Sequence, residues 1–409
     1  MSGNCRFCNK SLNKVFVDLG NLPLANSFLK KDGFDNERVY PLCAYVCEIC
    51  YLVQIEEVES PEKIFSEYAY FSSYSDSWLQ HAKEYVKMIL SKFPITNNSL
   101  VLEIASNDGY LLQYFKEQKI PILGIEPASN VAKVAIDKKI PTVVAFFDKN
   151  LALKLVQGKK VADLIIGNNV LAHVPNLNNF IDGLKIALKS DGIITLEFPH
   201  LLELIKYNQF DTIYHEHYSY FSLITLIKIF YSHNLKIFDV DEIPTHGGSL
   251  RIFVTHLENE SIKITNKVNA VLEKEKEFEL DNISGYSKFH NSVNKIKLEL
   301  REFLINAKSE SKKVIGYGAA AKGNTLLNFC EIGTDLLEYV VDRSEYKQGL
   351  YLPGIHIPIL NPEKINEIKP DYLLILPWNL KDEIMSQMKQ IRDWGGKFVV
   401  PIPEVKIYS

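Results

Sequence analysis

The sequence of 409 residues lacks several features that would place it in other classes of protein. It has no apolar signal region behind its N-terminus, MSGNCRFCNK, and no apolar run of membrane-spanning length. We therefore expect a cytoplasmic protein with no membrane partner. Its 46 basic and 50 acidic residues leave a net charge of −4, which gives no electrostatic footprint for nucleic acid. The 46% share of hydrophobic residues is typical of globular proteins, and the length suggests roughly two or three domains.

Cysteine is nearly absent beyond residue 50, where Cys330 is the last of six. Thiols of a cytoplasmic chain are reduced, so the clustering of the other five suggests a metal rather than disulfides. Two pairs have the spacing C-x-x-C and predict one closed, tetrahedral site for structural zinc, which would stabilise a lobe with little core of its own. Their members are Cys5, Cys8, Cys47 and Cys50. Cys43 could replace one ligand, but a spare buried thiol explains it better, and Cys330 fits an apolar helix.

Glycine is scarce in the first strand–loop–helix–strand unit, Ser99–Glu126. A dinucleotide needs a Gly-x-Gly-x-x-Gly loop to seat its pyrophosphate on the helix N-terminus, and this loop has Gly109 alone. The acidic side chains of Glu103 and Asp108 would repel a pyrophosphate but attract the ammonium group of S-adenosylmethionine. Glu126, which closes the second strand, can accept hydrogen bonds from ribose hydroxyls. The loop therefore predicts an S-adenosylmethionine site, with an ordinary βα turn as the alternative.

The alternation of strand and helix continues in the order of a methyltransferase-type parallel sheet. A third strand, Thr142–Phe147, ends in Phe146–Phe147, where an adenine could stack. A fourth strand runs into Asn168 and Asn169. The residues that we expect to bind the cofactor are Glu103, Ala105, Asn107, Asp108, Gly109, Glu126, Phe147, Asn168 and Asn169.

The segment Asp211–Ser222, DTIYHEHYSYFS, places Tyr214, His215, Glu216 and His217 in a row. It is a weak metal motif because H-x-H has no third ligand nearby and H-E-x-x-H is absent. It is a good general acid–base cluster, since histidine titrates near neutral pH and a neighbouring carboxylate can orient it. Hydrogen-bonded core histidines are the alternative.

Two further segments have residues suited to binding a substrate. The segment Phe65–Trp78, FSEYAYFSSYSDSW, is either a hydrophobic strap between domains or a lid whose tyrosine hydroxyls face a pocket. The segment Thr245–Arg251, THGGSLR, has two glycines that allow close backbone approach to a ligand or tight packing. The candidate substrate-binding residues from these segments are Tyr68, Tyr74, His246 and Arg251.

A second α/β unit follows the lysine- and glutamate-rich segment Ile262–Lys308, whose spacing predicts one or two long helices. Its first turn, GYGAAAKG at 316–323, is followed by Asp342 at the end of the next strand, which matches a dinucleotide fingerprint. The same turn could hold the diphosphate of another nucleotide, with Lys322 as counter-charge. Gly318 and Lys322 are therefore also candidates for substrate binding.

These motifs occur together, in one order, over nearly the whole chain: the two C-x-x-C pairs, EYAYFSSYS, EIASNDGYLL, GIEPASN, NNVLAHVPNL, FDTIYHEHYSYFS, THGGSLR and GYGAAAKG. With them the chain resembles the sugar C-methyltransferases of deoxysugar biosynthesis. The resemblance implies an α/β protein of three parts. They are a zinc-binding lobe with the aromatic strap at 1–75, a Rossmann-like methyltransferase domain at 76–262, and a helical connector with a second Rossmann-like domain for the nucleotide-sugar at 263–409.

The resemblance also implies an activity: methylation of C3 in a nucleotide-linked, typically thymidine-diphosphate, 4-keto-deoxysugar by a monomer that uses S-adenosylmethionine. The keto group acidifies the C3 hydrogen, and we expect His217 to remove it. Glu216 would orient a neighbour, and Tyr214 or His173 would donate to the enolate oxygen. The catalytic candidates are thus Tyr68, Tyr70, His173, Tyr214, His215, Glu216 and His217.

Three other functions fit parts of the sequence. An O- or N-methyltransferase on a nucleotide-sugar could use the same histidine cluster. A two-activity enzyme could also reduce the ketone with NAD(P), as the fingerprint ending in Asp342 suggests. A zinc-knuckle protein that binds nucleic acid with a vestigial methyltransferase fold fits less well, because the charge balance is acidic.

Overall fold

The computed structural model describes residues 3–65 and 71–409. Tyr68 and Tyr70, two of the catalytic candidates, lie outside the described residues. The chain has the α/β architecture of three parts that the sequence predicts, each organised around a sheet. Within the described ranges, no helix combines the length and the apolar character needed to cross a membrane.

The N-terminal lobe is an antiparallel sheet that follows the first cysteine pair. Its strands β1, β2 and β3 span Lys14–Pro23, Val39–Val46 and Val53–Ile55, and helix α1 spans Pro61–Phe65. Along β2 buried side chains alternate with more exposed ones from Leu42 onward, because one face of the sheet packs on the core.

The central domain begins with helix α2, Asp76–Lys92, whose first turn is capped by the Ser75 side chain. The further strands are β4 (Val101–Ile104), β5 (Ile122–Ile125), β6 (Thr142–Val143), β7 (Ala162–Asn168), β8 (Leu188–Pro199), β9 (Ser219–Tyr220), β10 (Leu235–Ile243) and β11 (Ser249–His256). The helices between them are α3 (Leu112–Glu117), α4 (Ser129–Asp137), α5 (Lys149–Gln157), α6 (Leu177–Ala187), α7 (Leu201–Lys206) and α8 (Leu223–Ser232).

The central sheet has the strand order β10-β11-β8-β7-β4-β5-β6 in the described part of the chain. Strand β11 is antiparallel to both neighbours, and the other strands run parallel to one another, which confirms the predicted methyltransferase-type sheet. Strand β9 is not part of this sheet and pairs instead with β3 of the lobe. The DTIYHEHY segment, which directly precedes β9, therefore lies where the central domain meets the lobe.

The third strand is shorter than predicted, because β6 ends at Val143 instead of Phe147. Phe147 is buried in the core, and its ring meets that of Phe180 edge to face at 5.5 Å. Phe146 remains 39% exposed. The long strand that was expected to present these rings for adenine stacking is thus replaced by a loop, and this loop places the Phe147 ring in the core.

The C-terminal part begins with the two predicted helices, α9 (Asn266–Glu277) and α10 (Phe289–Ser309). Its strands are β12 (Val314–Tyr317), β13 (Val340–Val341), β14 (Ile359–Leu360), β15 (Tyr372–Ile375), β16 (Lys397–Val400) and β17 (Lys406–Tyr408). Its helices are α11 (Ala321–Phe329), α12 (Lys364–Ile368) and α13 (Lys381–Gln387). The strand order is β14-β13-β12-β15-β16-β17, parallel except for β17.

The hydrophobic cores run across the boundaries predicted at residues 75 and 262. Buried residues of the lobe strands, α10 and the C-terminal sheet form one cluster, in which the ring of Phe16 stacks on Phe289 at 4.6 Å. Cys5, Cys47 and Cys50 instead pack with one face of the central sheet. The lobe therefore contacts both larger domains. We use the word cleft for the region where Trp378 of the C-terminal part meets Asp211 and Gly247 of the central domain.

Candidate active site

The four cysteines of the two C-x-x-C pairs lie together, with their sulfur atoms within 4.8 Å of one another. The Sγ atoms of Cys5 and Cys50 are 3.5 Å apart, as are those of Cys8 and Cys47. Cys43 and Cys330 are outside this group. Four thiolates at this spacing are the donor set of a closed structural zinc site, as the sequence predicts.

Each pair lies on the same kind of tight turn. The N–H of Asn9 donates to the Cys5 carbonyl and that of Tyr51 to the Cys47 carbonyl, both at 2.9 Å. Asn9 and Tyr51 have φ of +58° and +67°, in the left-handed region. The Gln54 amide donates to Cys5 Sγ at 3.2 Å, which orients a sulfur ligand from outside the donor set.

The loop after β4 has the shape of a glycine-rich loop although it has a single glycine. Ala105, Asn107 and Gly109 have φ of +55°, +49° and +79°. Side chains other than glycine are costly in this region, and asparagine is among the better tolerated ones. A Cβ atom on Gly109 would also overlap the Ile140 side chain, so both the backbone conformation and the lack of space require glycine at this position.

Two carboxylates support this loop from the ends of β4 and β5. Burial, and then the charges of Glu126 and Asp108, raise the pKa of Glu103 well above its ordinary value. Glu126 accepts the N–H groups of Asn107 and Ala128, both at 2.9 Å. Burial raises the pKa of Glu126 and these two bonds oppose the rise. A cationic ligand beside Glu103 would return that carboxyl to its ionised form.

Two asparagines follow β7 at the same sheet edge. Both amide atoms of Asn168 are buried without a hydrogen-bond partner among the described residues, and so is Asn169 Oδ1. Asn169 has a φ of +53°, and its Nδ2 lies 3.2 Å from His246 Nε2. Buried amides are usually hydrogen-bonded, so these atoms have donors and acceptors suited to a polar ligand at this sheet edge.

His173 and His217 are in contact, with ring centroids 4.7 Å apart. Nδ1 of His173 is 2.8 Å from the Glu216 carbonyl, and Nδ1 of His217 is 2.8 Å from the Thr212 carbonyl. A carbonyl only accepts, so both protons lie on Nδ1 and both Nε2 atoms carry lone pairs. Burial lowers the pKa of His173 to about 4 and that of His217 well below its ordinary value. Both rings are therefore neutral bases at neutral pH.

This tautomer argues against the donor role expected for His173, which stays a prediction. A neutral ring with its proton on Nδ1 cannot donate from Nε2, so His173 is an acceptor rather than a donor to an enolate oxygen. Nε2 of His217 is 3.0 Å from the Tyr214 hydroxyl, which donates to it. The phenol and the imidazole thus form one hydrogen-bonded pair.

Glu216 and His215, the neighbours of His217, point in different directions. Asn26 of the lobe donates to Glu216 Oε1 at 2.7 Å, which ties this carboxylate to the loop after β1. His215 is buried beside β2, where its ring lies edge to face with Tyr40 at 5.9 Å. His215 and Glu216 form a turn that is closed by the His217 N–H donating to the Tyr214 carbonyl at 2.9 Å, and this turn separates His215 from the His173–His217 pair.

The C-terminal end of the aromatic strap, residues 71–78, packs on the loop after β4, which we call the cofactor loop. The N–H of Ser72 donates to Asn107 Oδ1 at 2.8 Å, and that of Ser73 to Asp108 Oδ2 at 3.3 Å. The exposed Tyr74 shares a hydrogen bond with Tyr346 of the C-terminal part, which raises the pKa of the Tyr74 phenol. The strap thus connects the cofactor loop with the C-terminal domain.

Arg251 lies below the cleft in a buried ion pair. Its Nη2 donates to Glu197 Oε2 at 2.7 Å, and Glu197 also accepts from Thr245 at 3.1 Å. His81 Nε2 is 3.0 Å from both Glu197 oxygens. These contacts hold the THGGSLR segment against α2, and the Arg251 charge is largely committed to Glu197.

Three family models match the chain in sequence order: a zinc-binding domain at residues 5–65, a methyltransferase domain at 78–240 and a C-methyltransferase C-terminal domain at 244–403. The C-methyltransferase NovU of Streptomyces niveus is 34% identical over 406 residues, which cover 99% of this chain and 96% of that protein. The chain belongs to the C-methyltransferase family.

Solved structures resemble the C-methyltransferase only weakly. Magnesium protoporphyrin IX methyltransferase of Synechocystis PCC 6803 is 14% identical, over 44% of this chain and 79% of its own, with a TM-score of 0.34. The 1,6-didemethyltoxoflavin-N1-methyltransferase of Burkholderia thailandensis is also 14% identical, over 51% and 95%, with a TM-score of 0.36. Similarity at this level carries no information about activity.

The residues of the C-methyltransferase fit its methyl donor, S-adenosylmethionine, which as a sulfonium supplies an electrophilic methyl group. The buried carboxyl of Glu103 suits an ammonium group, and Glu126 has spare lone pairs for ribose hydroxyls. The unpartnered amide of Asn168 offers both a donor and an acceptor. The cysteine cluster lies within the matched zinc-binding domain.

Three residues of the C-methyltransferase cleft were absent from the sequence-based candidates: Asp211, Trp378 and Asn379. Trp378 donates from Nε1 to Asp211 Oδ2 at 2.7 Å, and Asn379 Oδ1 accepts from the candidate Lys322 at 2.9 Å. Asp211 belongs to the DTIYHEHY segment and could have been suspected there. Trp378 and Asn379 follow an ordinary strand, β15, and no local pattern distinguishes them.

Proposed function

We propose that this C-methyltransferase methylates C3 of a nucleotide-linked 4-keto-deoxysugar, with thymidine diphosphate as the nucleotide. The observation that supports the proposal is the contact between two neutral imidazoles whose Nδ1 protons are held by backbone carbonyls. A carbon acid requires a base that is unprotonated at working pH, and desolvation keeps both rings in that state.

In the proposed reaction His217 is the final acceptor of the C3 proton. Because the Tyr214 hydroxyl donates to His217 Nε2, the phenol oxygen takes the C3 proton as its own proton passes to that nitrogen. The pair from the C3–H bond becomes the C3–C4 double bond, and the carbonyl pair moves to the C4 oxygen. Asn26 of the lobe holds Glu216, and this hydrogen bond orients the segment that contains Tyr214 and His217. The carbon nucleophile then takes the methyl group, and the carbonyl forms again.

The proposal assigns the acceptor to the cleft between the central and C-terminal domains. Gly318 has a φ of +92°, and a Cβ atom there would lie 2.6 Å from Pro377, so this position requires glycine. We assign the diphosphate to this glycine-containing turn because it leads into the N-terminus of α11. Membership in a C-methyltransferase family favours carbon over oxygen or nitrogen as the methylated atom. The two domain boundaries, the monomeric state and the cytoplasmic location stay predictions.

The test combines product analysis with hydrogen exchange. Incubation with S-adenosylmethionine and a thymidine-diphosphate 4-keto-6-deoxysugar is expected to raise the sugar mass by one methylene. In deuterated water the C3 hydrogen is expected to exchange. His217→Asn should remove both signals, by ~100-fold or more, because general base catalysis typically contributes such factors.

A matched control is His290→Asn, since His290 is an exposed residue of α10. That variant should exchange and methylate at the wild-type rate. Full turnover by His217→Asn would show that His217 is not the base, and methylation of a hydroxyl would contradict the proposed function.

A further inference from the structure

The C-terminal domain places a cation at the catalytic end of the cleft. Lys322 is the second residue of α11, and its side chain is half-buried. Its Nζ donates to Asn379 at 2.9 Å and lies 4.8 Å from the centre of the Trp378 ring. An ammonium held by one amide and one aromatic face keeps free donors for a ligand.

Trp378 connects this lysine with the histidine segment. Its indole N–H donates to Asp211, and a Cβ atom on Gly247 would lie 2.5 Å from its ring. Asp211 precedes Thr212, whose carbonyl holds the Nδ1 proton of His217. The indole therefore lies against both the THGGSLR and the DTIYHEHY segments, and it brings Lys322 to them.

The electrostatics agree with this placement. Burial is the largest cause of the lowered pKa of both His217 and His246, and the Lys322 charge lowers each pKa further. Burial lowers the pKa of Lys322 itself, while Asp211 opposes that change. Arg251, another cation of this region, is already paired with Glu197. Within the described part of the cleft, Lys322 is thus a cation near His217 and His246 that can still bind a ligand.

We propose that the Lys322 ammonium binds the C4 carbonyl oxygen of the acceptor and stabilises its negative charge when C3 loses its proton. The inference rests on the proposed function. As the C3–H pair forms the C3–C4 double bond, the carbonyl pair moves to the oxygen, next to the ammonium. When C3 gains the methyl group, the carbonyl forms again and the pair of the old carbon–sulfur bond stays on sulfur.

This role differs from that of a counter-charge for the diphosphate. The diphosphate is joined to C1 of the sugar, two carbon atoms from C3. Lys322 instead packs on Trp378, which is hydrogen-bonded to Asp211 beside the residue that holds His217. Asn379 and Trp378 hold the lysine in place, and they are positioning residues. A fixed cation at the oxygen where charge develops costs no reorganisation during the reaction.

The experiment separates the two ends of the substrate. C3 hydrogen–deuterium exchange is measured at saturating keto-sugar by mass spectrometry, and the affinity for free thymidine diphosphate is measured by isothermal titration calorimetry. Lys322→Met and Lys322→Gln are expected to slow exchange by ~100-fold, as does the loss of one electrostatic donor in other enzymes. The affinity for thymidine diphosphate should change by less than about threefold, because a ligand of the sugar oxygen leaves diphosphate binding intact.

The control variant is Lys389→Met, which removes an exposed lysine of the same domain and should change neither quantity. Lys322→Gln keeps a donor for Asn379, and retained affinity for thymidine diphosphate in both variants shows that the domain is folded. If thymidine diphosphate binds tenfold more weakly while exchange at saturation persists, Lys322 is a phosphate ligand and the inference is wrong. Unchanged exchange in both variants also overturns it. Absence of exchange in the wild-type protein would instead refute the proposed function itself.

Discussion

Among single residues, the neutral histidines have consequences for pH. In the folded protein the pKa of His173 is about 4, against 6.5 for the ordinary side chain. Between these values the unfolded chain binds more protons than the folded one, so the free energy of unfolding falls as the pH falls. Each such histidine contributes up to about 1.4 kcal/mol per pH unit in that window.

The expected result is a loss of stability between pH 6.5 and pH 4 that is smaller in His173→Gln than in the wild type. Urea unfolding at pH 7 and at pH 5 measures the difference. His290→Gln is the control, because that side chain is exposed, and it should keep the full pH dependence. An identical pH dependence in His173→Gln would mean that His173 titrates normally in the folded protein.

The sequence identifies the chemistry of the residues better than their states. Tyr214, Glu216 and His217 are predicted from a local run of titratable side chains, and the structure brings Tyr214 and His217 together. The proton on Nδ1 of His173 depends on a carbonyl 43 positions away, at Glu216. No local pattern contains that information, so the sequence alone could not predict which nitrogen of His173 carries the proton.

At the scale of elements, the cofactor loop shows how shape can persist with little glycine. Three residues of the loop have left-handed φ values, and Gly109 is the one glycine among them. Gly109 has a φ of +79° and no space for a Cβ atom. Gly109→Ala is expected to cost about 1–2 kcal/mol for the backbone and about 1–3 kcal/mol for the overlap with Ile140. S-adenosylmethionine should also bind more weakly, because the loop must shift.

The matched control is Gly395→Ala, where φ is +82° and nothing lies within 4 Å of the added carbon. That variant isolates the backbone cost and should leave cofactor binding unchanged. Urea unfolding gives the two free energies, and calorimetric titration gives the affinities. Equal destabilisation by both substitutions would show that Ile140 yields without cost.

Long periodic helices were predictable, whereas the extents of the shortest strands were not. Helices α4, α6, α9 and α10 lie where their apolar spacing predicts them, since each buries one apolar stripe. Strand β6 has two residues and continues as loop, because the sheet ends there and Phe147 finds its partners in the core. The strand pairing between β3 and β9 joins residues more than 160 positions apart, so no window of sequence reveals it.

For the whole molecule, the zinc lobe acts as a support for both walls of the cleft. Arg6, next to a zinc ligand, donates to the Pro175 carbonyl beside the His173 loop at 2.8 Å. Asn26 holds Glu216, and Glu37 accepts from His356 of the C-terminal part at 2.7 Å. The lobe therefore contacts the catalytic loop, the histidine segment and the nucleotide domain at once.

Removal of zinc is consequently expected to lower both stability and activity, although the cysteines lie outside the cleft. Zinc contributes roughly 10 kcal/mol or more of apparent binding energy in small zinc domains, and loss of the lobe would release Glu216 from Asn26. A chelator, or Cys47→Ser, should lower the thermal unfolding midpoint and reduce C3 exchange together. Cys43→Ser is the control, because Cys43 lies outside the cluster of sulfur atoms. If the chelated protein keeps its exchange rate while its unfolding midpoint falls, the lobe stabilises the fold without shaping the catalytic segment.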